Sequence, residues 1–125
     1  SFAQWNKHGL NLERSLKLGD RIHGHLVTGH VDGLGKVIES YQDGGCWQIV
    51  VQVAQDIKKY FWKKGSICMN GVSLTVNDVQ DDLVAVCLIP ETIAVTNLAE
   101  IPVGSYVNIE SDYLAKAYFQ LKVKE

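Results

Sequence analysis

The sequence predicts an all-β fold: a small closed six-stranded antiparallel Greek-key barrel with short helices and a C-terminal helix. Three observations carry this. Short runs of alternating apolar residues follow one another at close spacing. Tight-turn signals separate them, at Gln42-Asp43-Gly44-Gly45, Asn70-Gly71, Asp81-Asp82 and Pro102-Val103-Gly104. Only two small helical patterns fall between strands and one follows them, which argues for a closed antiparallel sheet rather than βαβ units.

Taken in order, Ser1 to Gly9 has no clear period and reads as a loosely held leader. Leu10-Asn11-Leu12-Glu13-Arg14 alternates as a short strand, and Ser15 to Gly24 is a polar connector. His25 to Ser40 reads as one long strand, with Gly29, Gly33 and Gly35 as points of bulge or bend. After the Gln42–Gly45 turn, Cys46 to Ala54 is a strand with Ile49, Val51 and Val53 on one face. Asp56 is placed to cap a short helix whose stripe is Ile57, Tyr60 and Phe61. Lys63 and Lys64 end that helix, where cations are favoured, and Gly65 is the expected left-handed cap.

The central stretch, Lys64 to Asn77, is a strand, an Asn-Gly turn and a second strand. Asn-Gly supplies the two positive φ angles that a type I′ turn requires. Beyond it, Val72, Leu74 and Val76 point to a core, and Ser73, Thr75 and Asn77 line the opposite face. An ordinary half-solvated strand would present the same polar row. Leu83 to Ile89 is apolar on both faces and should be well covered. Pro90 opens a helical turn at its first position, where its missing N–H costs nothing. Tyr106 to Glu110 is the last strand. Asp112 then caps a helix with Leu114, Ala117, Tyr118 and Leu121 on one stripe. The expected organisation is a leader and connector over 1–20, a barrel over 21–112 and a terminal helix over 113–125.

The chain has 125 residues, the usual size of one domain and enough to bury a core without staples. Its net charge is −2, from 12 basic and 14 acidic residues, with no basic stripe, so nucleic acid is not an expected partner. Lys58-Lys59 and Lys63-Lys64 read as one solvated helix face. No apolar run approaches the ~20 residues of a membrane helix. No signal peptide is visible at Ser1, and a start without Met fits a processed product or an excised piece. Cys46, Cys68 and Cys87 lie far apart in apolar runs, with no C-x-x-C pair. They are expected to be reduced and structural, in a cytoplasmic protein.

Candidate chemistry is sparse. His23, His25 and His30 form a loose cluster, but no nearby Cys or well-placed acid besides Asp32 completes a metal site. No metal is expected. A histidine contacting a ligand is the alternative, since the glycines beside His30 allow close approach to the backbone. Neither a Walker loop nor a G-x-G-x-x-G opens a helix. Glu91, Glu110 and Asp112 are acids near strand ends, where capping is the commoner role. One internal echo stands out: Leu10-Asn11-Leu12-Glu13 repeats the pattern of Val107-Asn108-Ile109-Glu110, as the second unit of a tandem pair would.

Four motifs in order carry a family resemblance. Gly24-His25-Leu26-Val27-Thr28-Gly29-His30 resembles the G-H-x-x-[ST]-G-H segment that opens the second barrel of riboflavin synthase. Lys64-Gly65 with Asn70-Gly71-Val72-Ser73-Leu74-Thr75 resembles its K-G…[DN]-G-x-S-L-T segment. Leu88-Ile89-Pro90-Glu91-Thr92 with Thr96 resembles L-I-P-E-T…T, and Val107-Asn108-Ile109-Glu110 with Asp112 resembles V-N-x-E-x-D. The likeness covers only the second half of a family subunit.

The resemblance implies a homotrimeric transferase that dismutates two molecules of 6,7-dimethyl-8-ribityllumazine. One donates a four-carbon unit, giving riboflavin and 5-amino-6-ribitylamino-pyrimidinedione, with no cofactor. The site lies between the second barrel of one subunit and the first barrel of another. By motif position, Ser73 and Thr75 would hydrogen-bond the pteridine beside Leu74, with Gly29, His30 and Val31 in the same pocket and Lys64 at its edge. A wall would run through Leu88, Ile89, Pro90, Glu91, Thr92 and Ile93. Asp112, with Glu110, would hold the ribityl hydroxyls. His30 would assist proton movement at the 7-methyl group. The alternative is a barrel that holds lumazine or a flavin without turnover.

Overall fold

The computed structural model describes residues 9–19 and 24–123. Asn70 and Gly71 take φ of 46° and 82°, the backbone of a type I′ turn, and they join β3 (Ser66–Met69) to β4 (Val72–Gln80). Around this hairpin stand β1 (Gly33–Asp43), β2 (Cys46–Gln52), β5 (Leu83–Leu88) and β6 (Tyr106–Ser111). All neighbours are antiparallel, and the ring closes in the order β1-β2-β5-β4-β3-β6. Closure depends on β1, whose first residues pair with β6 and whose remainder pairs with β2. Register shifts between Val37 and Glu39 and between Val76 and Asp78 give the bends a small barrel needs.

The interior is filled by the rows that alternation predicts. Ile49, Val51, Leu74, Val76, Val84, Val86, Leu88, Val107 and Ile109 are buried together. The loop between β2 and β3 closes one side of this core with Ile57 and Phe61. Two helices follow the expected pattern of starts: α1 (Pro90–Val95), with proline in its first turn, and α2 (Tyr113–Val123). Asp112 Oδ1 accepts the Leu114 N–H at 3.0 Å, the expected cap.

Several expectations are corrected. Residues 10–14 form no strand. The strand expected from His25 begins only at Gly33: residues 24–32 cross the barrel as an irregular strap, which meets a strand edge through its backbone only at its last residue, where the Asp32 amide donates to the Ile109 carbonyl of β6 (2.8 Å). The helix after β2 is a single 3-10 turn, Lys58–Tyr60, and Asp56 makes no capping bond. The left-handed residue there is Lys64, at φ 69°, not Gly65; Gly65 is small because a Cβ would press on the Trp62 carbonyl at 3.0 Å. A further 3-10 turn, Leu98–Glu100, buries Leu98.

The cysteines are corrected too. Cys46 and Cys87 form a disulfide, with Cα atoms 6.0 Å apart, while Cys68 is free and buried. Cys87 lies opposite Gln48, so Cys46 is its diagonal neighbour on the same sheet face. The helix stripe is also turned. Leu114, Tyr118 and Leu121 face outward, while Ala115 is buried and Phe119 meets Tyr60 edge-on at 5.5 Å. The cap at Asp112 and an ion pair from Lys116 to Asp32 (2.9 Å) fix this rotation.

Candidate functional site

The site is built on the outer face of β4, β3 and β6. Cross-strand partners share a face, so register defines the row: Ser73 lies opposite Cys68, and Cys68 opposite Glu110. Thr75 lies opposite Ser66 one step further along. The hydroxyl row therefore points out of the barrel, as alternation predicts.

The strap, residues 24–32, crosses this row and is held at three polar points. At β4, the His25 amide donates to Ser73 Oγ (3.2 Å), and His25 Nδ1 lies 2.6 Å from the same oxygen. The consistent proton assignment has Ser73 accepting from the amide and donating to Nδ1, which puts the ring proton on Nε2. His25 Nε2 is buried and has no partner among the described residues. Gly24 sits at φ 88°, and a Cβ there would collide with the Ser73 hydroxyl, so glycine is required on both counts. At β6, the Thr28 amide donates to Glu110 Oε2 (2.9 Å), and the Thr28 hydroxyl adds a weaker bond at 3.4 Å. Beyond that, Asp32 Oδ2 accepts from the Ser111 amide (2.6 Å) and hydroxyl (2.9 Å), while Oδ1 meets Lys116.

These anchors account for the electrostatics. Cys68 lies in the row between the first two anchors and is 2% exposed. Burial, with Glu110 close by, pushes its thiol up to about 11, so it stays protonated and unreactive at neutral pH. Burial also raises the Asp32 carboxyl, but the bonds from Ser111 and Lys116 outweigh it and hold the group below its ordinary range. Among the described residues, no three metal-ligating side chains come together, and His23 lies outside those residues. No helix among them is long and apolar enough to cross a membrane.

The model of the family described as the lumazine binding domain matches residues 28–112, more than half of the chain. The chain belongs to the lumazine-binding domain family. Two curated members of similar sequence are named riboflavin synthase. That of Photobacterium leiognathi is 41% identical over 115 residues, covering 92% of this chain and 52% of its own length. That of Brucella abortus is 42% identical over 107 residues, covering 86% and 53%. This chain thus spans about half the length of the curated relatives it matches. Among solved structures, LumP complexed with riboflavin matches with a TM-score of 0.69 and 22% identity, over 74% of this chain and 50% of LumP. LumP complexed with 6,7-dimethyl-8-ribityllumazine matches with a TM-score of 0.67. These two show the barrel fold.

Within this lumazine-binding domain, the expected site residues divide. Gly29, His30 and Val31 are exposed on the strap, Thr75 is exposed beside it on β4, and Ser73 is half-buried under His25. Lys64 is exposed next to Gly65, its amide bonded to the Val76 carbonyl at 2.8 Å. Ile89, Pro90 and Glu91 are exposed at the start of α1, while Thr92 and Ile93 are half-buried. Leu74 and Leu88 are packed in the core, so only their backbone is open to a ligand outside the barrel. Glu110 is 4% exposed, and its Oε2 accepts the Thr28 N–H, so this carboxylate holds the strap. Asp112, half-buried, keeps one carboxylate oxygen beyond its helix cap.

His25, Thr28, Asp32 and Lys116 were not among the expected site residues. The G-H-x-x-T-G-H motif held a signal for the first two, since two of its members turn out to be anchors. Lys116 carried none, because its partner lies 84 positions away, counting from Asp32. Two surface recesses, of about 200 and 290 Å³, lie elsewhere and include none of the expected residues. On the outer face of β4, Thr75 is exposed while Ser73 is covered in part by His25.

Proposed function

We propose that this chain is the second lumazine-binding barrel of a riboflavin synthase, with 6,7-dimethyl-8-ribityllumazine and riboflavin as its ligands. The observation that carries the reading is about 40% identity to curated riboflavin synthases over most of this chain, coupled to an outward hydroxyl row on β4 that the strap crosses. In this reading the complete enzyme transfers a four-carbon unit between two lumazines, and this barrel supplies half of the site. Thr75 offers a hydrogen bond to the pteridine ring, and Ser73 does so once its bond to His25 gives way. Lys64 stands at the edge and the Ile89–Ile93 segment forms a wall. Asp112 binds a ribityl hydroxyl with its uncommitted oxygen. His30, exposed on the strap, carries the proton of the 7-methyl group. No cofactor is assigned.

An open face needs a second surface to exclude water. We read that surface as a first barrel of another subunit in a homotrimer, and the outward Leu114, Tyr118 and Leu121 of α2 support further copies packing there. Residues 1–20 are then a leader and connector between barrels, 21–112 the lumazine-binding barrel and 113–125 the terminal helix. We assign the protein to the cytoplasm, where its Cys46–Cys87 bond is unusual. A non-reducing thiol count on freshly extracted protein checks that assignment: two more free thiols in the extract mark a reducing compartment.

Incubation with 6,7-dimethyl-8-ribityllumazine at high protein concentration tests the function, with riboflavin fluorescence as the readout. Lumazine binding without riboflavin formation, even after a family first barrel is added, would favour a carrier rather than half an enzyme. In Ser73→Ala/Thr75→Ala, pteridine affinity should fall with the thermal midpoint little changed; unchanged affinity would misplace the site.

A further inference from the structure

We infer that Lys116 is a positioning residue for the ligand face: from α2 it holds the strap through Asp32, so binding at the Ser73–Thr75 face depends on a docked terminal helix. This rests on the proposed pteridine site. Strap residues 24–32 lie in no strand, so their place depends on a few polar anchors. Two anchors belong to the barrel, Ser73 and Glu110. The third is shared. The Asp32 amide donates to the Ile109 carbonyl of β6 (2.8 Å), and its carboxylate takes two hydrogen bonds from Ser111 of β6 and one ion pair from Lys116 of α2, the contact that ties the strap to the helix.

The Lys116–Asp32 pair is not an ordinary surface contact. The two side chains are 24% and 18% exposed, and the carboxylate is pinned by Ser111, so little side-chain freedom is left to lose in forming it. Asp32 is two residues from His30 and one from Val31, both exposed and both proposed to face the ligand. On the helix side, Lys116 follows the buried Ala115 and precedes Phe119, whose ring packs on Tyr60. Helix docking and strap position therefore meet at one charge pair. A ligand that needs the strap in place gains affinity when α2 is seated.

The test compares this chain with Lys116→Met, Asp32→Asn, the double variant and Lys116→Arg. Riboflavin affinity is read by fluorescence quenching, and strap order by amide hydrogen exchange at residues 28–32. Lys116→Met should weaken riboflavin binding about tenfold and speed exchange at the strap alone. Asp32→Asn should do the same, the double variant should lose no more than either single change, and Lys116→Arg should restore most of the affinity. Unchanged affinity in Lys116→Met overturns the inference. So do losses that simply add in the double variant, or exchange that rises across the whole barrel. If the unaltered chain fails to bind riboflavin, the proposed site fails instead, and strap exchange still reports whether Lys116 holds Asp32.

Discussion

Two segments of this chain share a four-residue pattern and meet opposite fates. Val107-Asn108-Ile109-Glu110 is the heart of β6, with Val107 and Ile109 at 2% and 0% exposure. Leu10-Asn11-Leu12-Glu13 is irregular, with Leu10 and Leu12 at 60% and 90%. Each has an asparagine bonded to one in another loop: the Asn108 backbone N–H donates to Asn70 Oδ1 (2.7 Å), and Asn11 exchanges two bonds with Asn97 (2.9 and 3.1 Å). The difference is what lies alongside. β6 has β1 on one edge, β3 on the other and the strap over its outer face. Among the described residues, no strand pairs with 10–13. Alternation states which face wants burial; neighbouring edges decide whether a strand exists.

The sharpest way to break this contrast is truncation of the matched apolar positions. Ile109→Ala should cost ~2–5 kcal/mol in urea unfolding, because it leaves a cavity in a packed barrel. Leu12→Ala should stay within about 0.5 kcal/mol. Equal losses would mean that 10–13 pairs as a strand in solution. Next in size is the staple between β2 and β5. Cys46→Ser/Cys87→Ser should lower stability by ~2–4 kcal/mol, with exchange accelerating through β6 and unchanged at 10–13.

Smaller effects separate the two asparagine contacts. Asn70→Ala removes both the bond to Asn108 and a residue tolerant of positive φ, and should cost about 1–2 kcal/mol by thermal melting. Asn11→Ala should cost less than about 1 kcal/mol. The smallest effect concerns acid. Asp32 is held below its ordinary 3.8, so its folded form binds protons less readily than the unfolded chain does. That contribution is fully present above the ordinary value and disappears as pH falls through the lower folded one. Asp32→Asn should flatten the fall of stability below about pH 4. Asp81 is lowered as well, by its bond to Lys58, but it is fully exposed and should leave that slope almost unchanged.

Much of the barrel is readable from the chain. Alternation through Ile49, Val51, Val53 and through Val72, Leu74, Val76 gives the inner face, and Asn70-Gly71 gives the hairpin. The outward hydroxyls of Ser73 and Thr75 follow from the same parity. Local pattern could not place the strap. Residues 25–32 alternate well enough to resemble a strand, yet up to Asp32, whose amide reaches the Ile109 carbonyl, they join no ladder and are held instead by Ser73, Glu110, Ser111 and Lys116. The rotation of α2 was equally hidden: its richer apolar stripe faces out, because a cap and one ion pair fix the helix by its other side.

The sequence by itself determined the strands from β2 to β6, their turns and the face on which Ser73 and Thr75 stand, since each depends on residues within a few positions of one another. It also carried the family, through short motifs in a fixed order. Only the tertiary structure decided that Cys46 meets Cys87, that Glu110 is spent on Thr28, and that His25 rather than His30 touches Ser73. Each of these joins positions 41 or more residues apart, which only the pairing of β2 with β5 and the passage of the strap over β4 and β6 make neighbours.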